Sequence, residues 1–261
     1  MRLLFVVVLL LAYHLNHAQD NYEIQVYGSQ TQLPKSSIFE LHSNYTFSGE
    51  KNTVDGVLPS HHALHETLEI TTGITPIFEI GVYLFTAWLP DHGYQVVGTH
   101  LRPRVMAPKK WDWPVGVSLS MEVGYQKPEY SASTWSLEIR PIVDKQWDKF
   151  YISFNPTLGI SLKSQYDKST PTFEPNLKLM YSFFKNAGFG VEYYGNVGYV
   201  NDLNEFPQQE DAIFITYDLL NNVSWELNVG AGFGVTSATD PFVFKVLVGR
   251  RVNWGKKSNT N

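Results

Sequence analysis

Cysteine is absent from the sequence. Its absence excludes disulfides, thiolate metal sites, a cysteine nucleophile and a lipidated N-terminal cysteine. Charge is scarce as well. Charged residues are 17% of the chain and the formal net charge is −5. There is no long basic run, so the electrostatic footprint of a nucleic-acid binder is missing. After Tyr13 no apolar run is long enough to cross a membrane as a helix, which takes ~20 residues. Sustained helical periodicity is also lacking, and no Pro/Ser-rich linker divides the chain. One domain accounts for the pattern.

What is present begins with Met1-Arg2, an apolar run from Leu3 to Tyr13, and a polar stretch ending in Ala18-Gln19. That order is a basic start, a short hydrophobic segment and a small residue at a cleavage point. Residues 1–18 are therefore expected to be a signal peptide, with the mature chain beginning near Gln19; an uncleaved helical anchor is the competing reading. An exported chain without a helical span enters a membrane only through strands.

Aromatic residues are abundant, at 15%, with 15 Tyr and 16 Phe. They lie in segments that alternate. Leu68 and Ile70 point one way, and Thr67, Glu69 and Thr71 the other. After a tight turn, Phe78, Ile80, Val82 and Leu84 share one face, while Glu79, Gly81, Tyr83 and Phe85 share the opposite one. Alternation at period two marks strands with one apolar and one polar face. About twelve such segments follow, near 37–48, 64–72, 76–88, 94–105, 113–124, 133–143, 149–162, 173–184, 188–199, 211–220, 223–234 and 241–253. Their lengths suit tilted membrane strands of ~9–11 residues.

A soluble sandwich also alternates. Two features favour a membrane barrel. The apolar face carries Trp88, Trp113, Trp135, Trp225 and Trp254 towards its ends, as interfacial girdles require. The polar face is rich in Gly and Ser with isolated charges, which suits a crowded, wet lumen. Tight turns at Gly73–Pro76, Lys185–Gly188 and Leu220–Val223 alternate with longer links such as Ser48–His62 and Asn201–Glu210. Short turns on one side and long loops on the other belong to outer-membrane barrels. The expected fold is all-β, a transmembrane antiparallel up-and-down barrel of about twelve strands over 37–254. An N-terminal arm or short extra strand precedes it at 19–36, and a tail follows at 255–261. Both termini are expected on the periplasmic side.

The stretch Leu68-Glu69-Ile70-Thr71-Thr72-Gly73-Ile74-Thr75-Pro76-Ile77-Phe78-Glu79-Ile80-Gly81-Val82 resembles the repeating hairpin of a family of bacterial outer-membrane barrels. The family is grouped with meta-pathway phenol degradation proteins and outer-membrane transporters. The likeness extends through Leu101-Arg102-Pro103-Arg104, Gly116-Val117-Ser118-Leu119-Ser120, Leu137-Glu138-Ile139-Arg140-Pro141-Ile142 and Phe154-Asn155-Pro156-Thr157-Leu158. It covers most of the mature chain. Phe242, Phe244, Val246, Val248, Val252 and Trp254 resemble the terminal aromatic strand read during barrel assembly, although Lys256-Lys257 follows it. The resemblance implies a channel or uptake barrel for a small solute, apolar ones included, in a Gram-negative outer membrane. The alternatives are a lipid-modifying enzyme and a structural barrel with a closed lumen. Expected partners are outer-membrane lipid, the barrel assembly machinery and a small-molecule solute, with no nucleic acid. No cofactor and no catalytic residue is implied.

The candidate functional residues are charges on the polar face. Arg102 and Arg104 share a face, as do Glu138 and Arg140, and Glu122 lies on the strand between the two pairs. The expected lumen charge network is Arg102, Arg104, Glu122, Glu138 and Arg140, with Glu122 bridging an arginine on either side. His100, Asp144, Lys178, Glu192, Glu226, Lys245 and Arg251 are expected inward as well. Such a network is either a selectivity constriction or a plug that keeps buried charges paired. His61-His62-Ala63-Leu64-His65 has the composition of a metal site, but adjacent residues point to opposite faces and a solvated loop is favoured. His42 and Ser43 are adjacent too, so they cannot pair for nucleophilic attack.

Overall fold

The computed structural model describes residues 21–164 and 170–255. The expected signal peptide at 1–18, the start at Gln19 and the basic pair Lys256-Lys257 lie outside the described residues.

The strands are β1 Ser36–Ser48, β2 Leu64–Thr75, β3 Phe78–Leu89, β4 Gly93–Met106, β5 Gly116–Gln126, β6 Ser133–Trp147, β7 Phe150–Ser164, β8 Thr172–Phe184 and β9 Ala187–Asn196. A two-residue ribbon follows, β10 Gly198–Tyr199 with β11 Asp202–Leu203, and then β12 Glu210–Leu219, β13 Trp225–Gly234 and β14 Phe242–Asn253. Consecutive long strands pair antiparallel, β9 with β12 across the ribbon, and β1 pairs with β14 to close the ring. The barrel thus has twelve strands and no open edge. Closure leaves each of the twelve long strands paired on both sides, which strands need in lipid.

The faces are inside out relative to a soluble protein. On β5, Leu119 is 40% exposed while its neighbour Ser120 is 1% exposed. Met121 and Val123 are exposed alongside Leu119, and Ser118 and Glu122 are buried with Ser120. The apolar set covers the outer wall, where lipid takes the place of a hydrophobic core. Rings gather at both rims. Tyr125–Trp135 and Phe233–Phe242 stand at the long-loop rim, with centroids 5.6 and 5.3 Å apart. Trp111–Trp113 and Trp147–Phe150 stand at the short-turn rim, at 5.0 and 6.2 Å. No helix among the described residues is long and apolar enough to cross a membrane.

Several boundaries differ from the sequence reading. β5 begins at Gly116 because a short 3₁₀ turn, Lys109–Trp111, and then Pro114 occupy the connection; proline cannot donate to a ladder. β6 runs on to Trp147, paired with Phe150, so the expected link at 144–148 is mostly strand. β9 stops at Asn196, and the chain turns at Gly198 with φ +98°.

Residues 21–34 fill much of the inside. Ser36 pairs with Asn253 at the short-turn end. Ahead of Ser36 the chain enters the barrel and climbs through it. Tyr22 joins one lumenal apolar cluster with Tyr83, Phe85 and Val97, and Ile24 and Val26 join another with Phe214, Tyr194 and Val243. Asn21 reaches the long-loop end, where Nδ2 donates to Asp240 at 3.4 Å. Ser36 and Asn253 thus lie at the short-turn end and Asn21 at the long-loop end. The segment expected as an N-terminal arm or a short extra strand thus lies inside a closed ring, where no strand edge is left to pair with.

Candidate functional site in the barrel lumen

The lumenal segment is held by its backbone. Gln32 N–H donates to Glu79 Oε2 at 2.5 Å. Asp144 accepts from Ser29 N–H and Oγ at 2.8 and 2.6 Å. Asn155 accepts from Tyr27 N–H at 2.8 Å and donates to the Tyr27 carbonyl at 3.0 Å. Lys245 Nζ donates to the Ile24 carbonyl at 2.9 Å, Thr67 Oγ1 to the Tyr22 carbonyl at 2.7 Å, and Asn44 to the Asn21 carbonyl at 2.8 Å. These wall residues come from β1, β2, β3, β6, β7 and β14. Peptide groups that a strand would satisfy in a ladder are satisfied by polar side chains projecting inward.

The charge network wraps the same segment. Arg102 pairs with Glu69 at 2.6 Å and with Glu79 at 3.3 Å, and Arg104 with Glu79 at 2.6 Å. Arg104 also donates to the carbonyls of Gly28 and Gln30 at 2.9 and 2.8 Å. Arg140 pairs with Glu138 at 2.7 Å and approaches Glu23 at 3.7 Å. The Tyr27 ring lies under three guanidiniums, with Arg102, Arg104 and Arg140 carbons 4.8, 5.6 and 4.7 Å from its centroid. Each such contact is attractive when desolvated. A second network joins Lys178 to Glu192 and Asp218 at 2.9 and 2.6 Å, and Lys245 to Glu192. Nearer the rim, Arg251 meets Glu226 at 3.4 Å.

All five expected network residues face the lumen, and the guanidiniums of Arg102, Arg104 and Arg140 meet over the Tyr27 ring. Glu122 Oε1 lies 2.6 Å from His100 Nδ1. The two arginines of β4 turn the other way, to Glu69 and Glu79. Two guanidiniums need two carboxylates, and that side of β4 offers both, together with the Tyr83 hydroxyl that accepts from Arg102. Glu69 and Glu79 were legible as polar-face carboxylates; their pairing with β4 was not, because it depends on register. Ser153 and Asn155 were legible as polar-face residues of β7, whereas Glu23 and Tyr27 carried no signal of a place in the network.

The histidines separate. His61 and His62 stack at 4.0 Å in the loop, while His65 turns into the lumen edge-on to Tyr22 at 4.8 Å. No group of three metal-ligating side chains forms among the described residues. His42 faces inward at 3.3 Å from Glu69, and Ser43 lies on the opposite face of β1.

The short-turn half of the lumen is closed to water. Glu69, Glu79, Arg102, Arg104, Ser118 and Ser153 are all buried. The long-loop half is not. A cavity of about 290 Å³ descends from the mouth between Leu58 and Tyr130 to Glu23, Arg140 and Tyr194. Its rim is tied by Asp240, which accepts from Ser60 Oγ at 2.8 Å. Burial pushes the Asp240 carboxyl up from its ordinary value.

No family model matches the chain, and no curated protein matches it. Solved structures do. An outer membrane channel from Pseudomonas putida F1 aligns over 88% of this chain and 100% of its own, with a TM-score of 0.58 and 10% identity. The KdgM porin aligns over 82% of this chain and 98% of its own, with a TM-score of 0.53 and 10% identity. The same porin in complex with oligogalacturonate gives 0.50 at 11% identity. At such identities the likeness is one of fold: the chain is built as the barrels of outer-membrane channels are.

Proposed function

We propose that the chain is an outer-membrane uptake channel for a small solute, stoppered by its own residues 21–34. The observation that carries this reading is the lumenal segment. It is a strip of backbone held by side chains from seven strands, and the barrel ring closes without it. A cavity open to the long-loop end stands above it. Long loops face outward in outer-membrane barrels, so a solute enters the cavity from outside, and displacement of the segment continues the path. The grouping with meta-pathway phenol degradation proteins is proposed on the Leu68–Val82 hairpin and on the barrel itself. Outer-membrane lipid meets the apolar belt, and the barrel assembly machinery reads β14.

The oligogalacturonate that one porin structure holds is not carried over, since carboxylates outnumber arginines around this cavity. The packed short-turn half supports a second reading, a structural barrel without transport. An enzyme is less well supported, because Ser43 points away from His42. Planar-bilayer recording separates these readings. A chain lacking residues 21–30 is expected to pass current in larger or more frequent steps than the full mature chain. Equal silence from both, with native heat-modifiable mobility retained, contradicts the channel.

A further inference from the structure

Inside the barrel the wall reads main chain. Asn155 of β7 pairs with both backbone groups of Tyr27: its Oδ1 accepts from the N–H at 2.8 Å, and its Nδ2 donates to the carbonyl at 3.0 Å. One amide side chain thus takes the place of a neighbouring strand residue, which would exchange the same two bonds. Ser153 Oγ donates to the same carbonyl at 2.5 Å. On either side, the carbonyls of Asn21, Tyr22, Ile24, Gly28 and Gln30 accept from Asn44, Thr67, Lys245 and Arg104. The N–H groups of Ser29 and Gln32 donate to Asp144 and Glu79. Every residue except proline offers both groups, so these contacts do not depend on the sequence of the segment.

Side chains of the segment enter pockets at alternate positions. Tyr22 packs with Tyr83, Phe85 and Val97, and Ile24 and Val26 with Tyr194, Phe214 and Val243. Asn21 meets Asp240 at the long-loop end, and Ser29 meets Asp144 near the short-turn end. So few residues cover most of the lumen only when extended. The space is narrow as well. A Cβ on Gly28 would lie 2.7 Å from the Tyr151 hydroxyl and 3.2 Å from Asp144 Oδ2. Main-chain bonds for affinity, with pockets for alternate side chains, are how proteins bind extended peptides. The cavity at the long-loop end leads onto this groove, since Tyr22, Glu23 and Gln25 form part of its lining.

We propose that the lumen is a peptide groove, and that its solute is a short extended peptide which replaces residues 21–29 group for group. The class is an oligopeptide of a few residues, with apolar side chains at alternate positions. This rests on the channel reading for its role in uptake, but the groove itself does not require conductance. The segment is then a resident occupant. It satisfies the donors and acceptors of the wall until a peptide offers the same groups. A plain saccharide lacks the paired N–H and carbonyl that Asn155 reads.

The test adds peptides to the full mature chain, refolded in detergent. It follows calorimetric binding together with hydrogen exchange at the Tyr27 and Ser29 amides. The probes are a blocked peptide with the sequence of residues 22–27, a blocked hexapeptide alternating valine and serine, and the same hexapeptide with proline for serine. Maltose is the non-peptide control. A tethered segment competes at an effective concentration on the order of millimolar, so the probes are used above it. The first two peptides are expected to bind and to speed exchange at both amides while strand amides stay protected. The proline peptide, which lacks N–H groups to donate, and maltose should do neither. Tyr27→Ala loosens the resident segment without altering a wall residue. It should strengthen binding of the valine–serine peptide at least ~10-fold, a fraction of what a buried aromatic is worth. No binding of either peptide, equal binding of the proline peptide or maltose, binding of the 22–27 peptide alone, or no gain from Tyr27→Ala with native heat-modifiable mobility overturns the groove. Peptide binding without any current in bilayers sustains the groove and removes the channel reading. Current in bilayers with no peptide binding removes the groove alone.

Discussion

The guanidinium of Arg104 donates to the backbone carbonyl of Gly28 at 2.9 Å. This bond ties a wall strand to a segment that belongs to no sheet. Its strength comes from charge and burial together, since a charge-assisted bond is about twice as strong as a neutral one. The same arginine is neutralised by Glu79 at 2.6 Å. The lumen charges therefore both pair with one another and grip the stopper.

Removing Glu79 should expose that dependence. Glu79 is fully buried and serves both Arg102 and Arg104. Glu79→Gln should cost ~3–5 kcal/mol, the usual loss when one partner of a buried pair is removed. Glu226→Gln breaks a half-exposed pair and should cost less than ~1 kcal/mol. Urea unfolding in lipid vesicles, followed by tryptophan fluorescence, compares the two. Equal losses would mean that the Glu79 site is wet.

Facing on β5 gives a second contrast. Leu119→Arg places charge on the lipid face and should cost ~2–4 kcal/mol near the midplane. Ser120→Arg places it in a lumen without room, since Ser120 is 1% exposed. It should cost ~1–3 kcal/mol by overpacking, where a wide wet pore would tolerate it. Leu119→Ile should be close to neutral. The same unfolding assay checks all three, and a neutral Ser120→Arg would show an open lumen at that level.

Gly73 controls where the segment enters. A Cβ there would lie 2.2 Å from the Leu33 carbonyl oxygen and 2.4 Å from that of Gln32. These are backbone atoms, so the chain must shift. Gly73→Ala should loosen residues 28–33 while leaving β2 and β3 paired. Hydrogen exchange should show lost protection at Gln32 and Ser29 amides with strand amides unchanged. Retained protection at both amides would contradict the close passage.

The wall of the barrel was legible in the sequence, and its contents were not. Strict alternation on β5 and β7 sorted Leu119 from Ser120 and Phe154 from Asn155, because a closed sheet in lipid has only two environments. Trp135 and Trp225 marked rims for the same reason. The alternation of Tyr22, Ile24 and Val26 fitted an N-terminal arm and a short extra strand alike, and nothing in it records a place inside the ring. Glu122 was visibly inward, yet its partner His100 depends on how Arg102 divides between two neighbouring strands. Glu174 leaning towards Glu138 depends on Gly159 of the strand between them, and no single segment records that.

The most direct test of the stoppered channel uses the absence of cysteine. An ideal Cβ on Gly116 lies 3.2 Å from the Cβ of Ser29, a little inside the ~3.5–4.5 Å of a disulfide, and 2.1 Å from Asp144 Oδ1, so the Asp144 side chain must swing aside. The double variant Ser29→Cys, Gly116→Cys has no other thiol with which to mispair. Oxidised, it should lock the segment against β5 and be silent in planar bilayers. Addition of reductant should restore current steps of the size that the full mature chain shows. Steps of the same size and frequency before and after reduction, with the disulfide verified by mass spectrometry, would contradict the account.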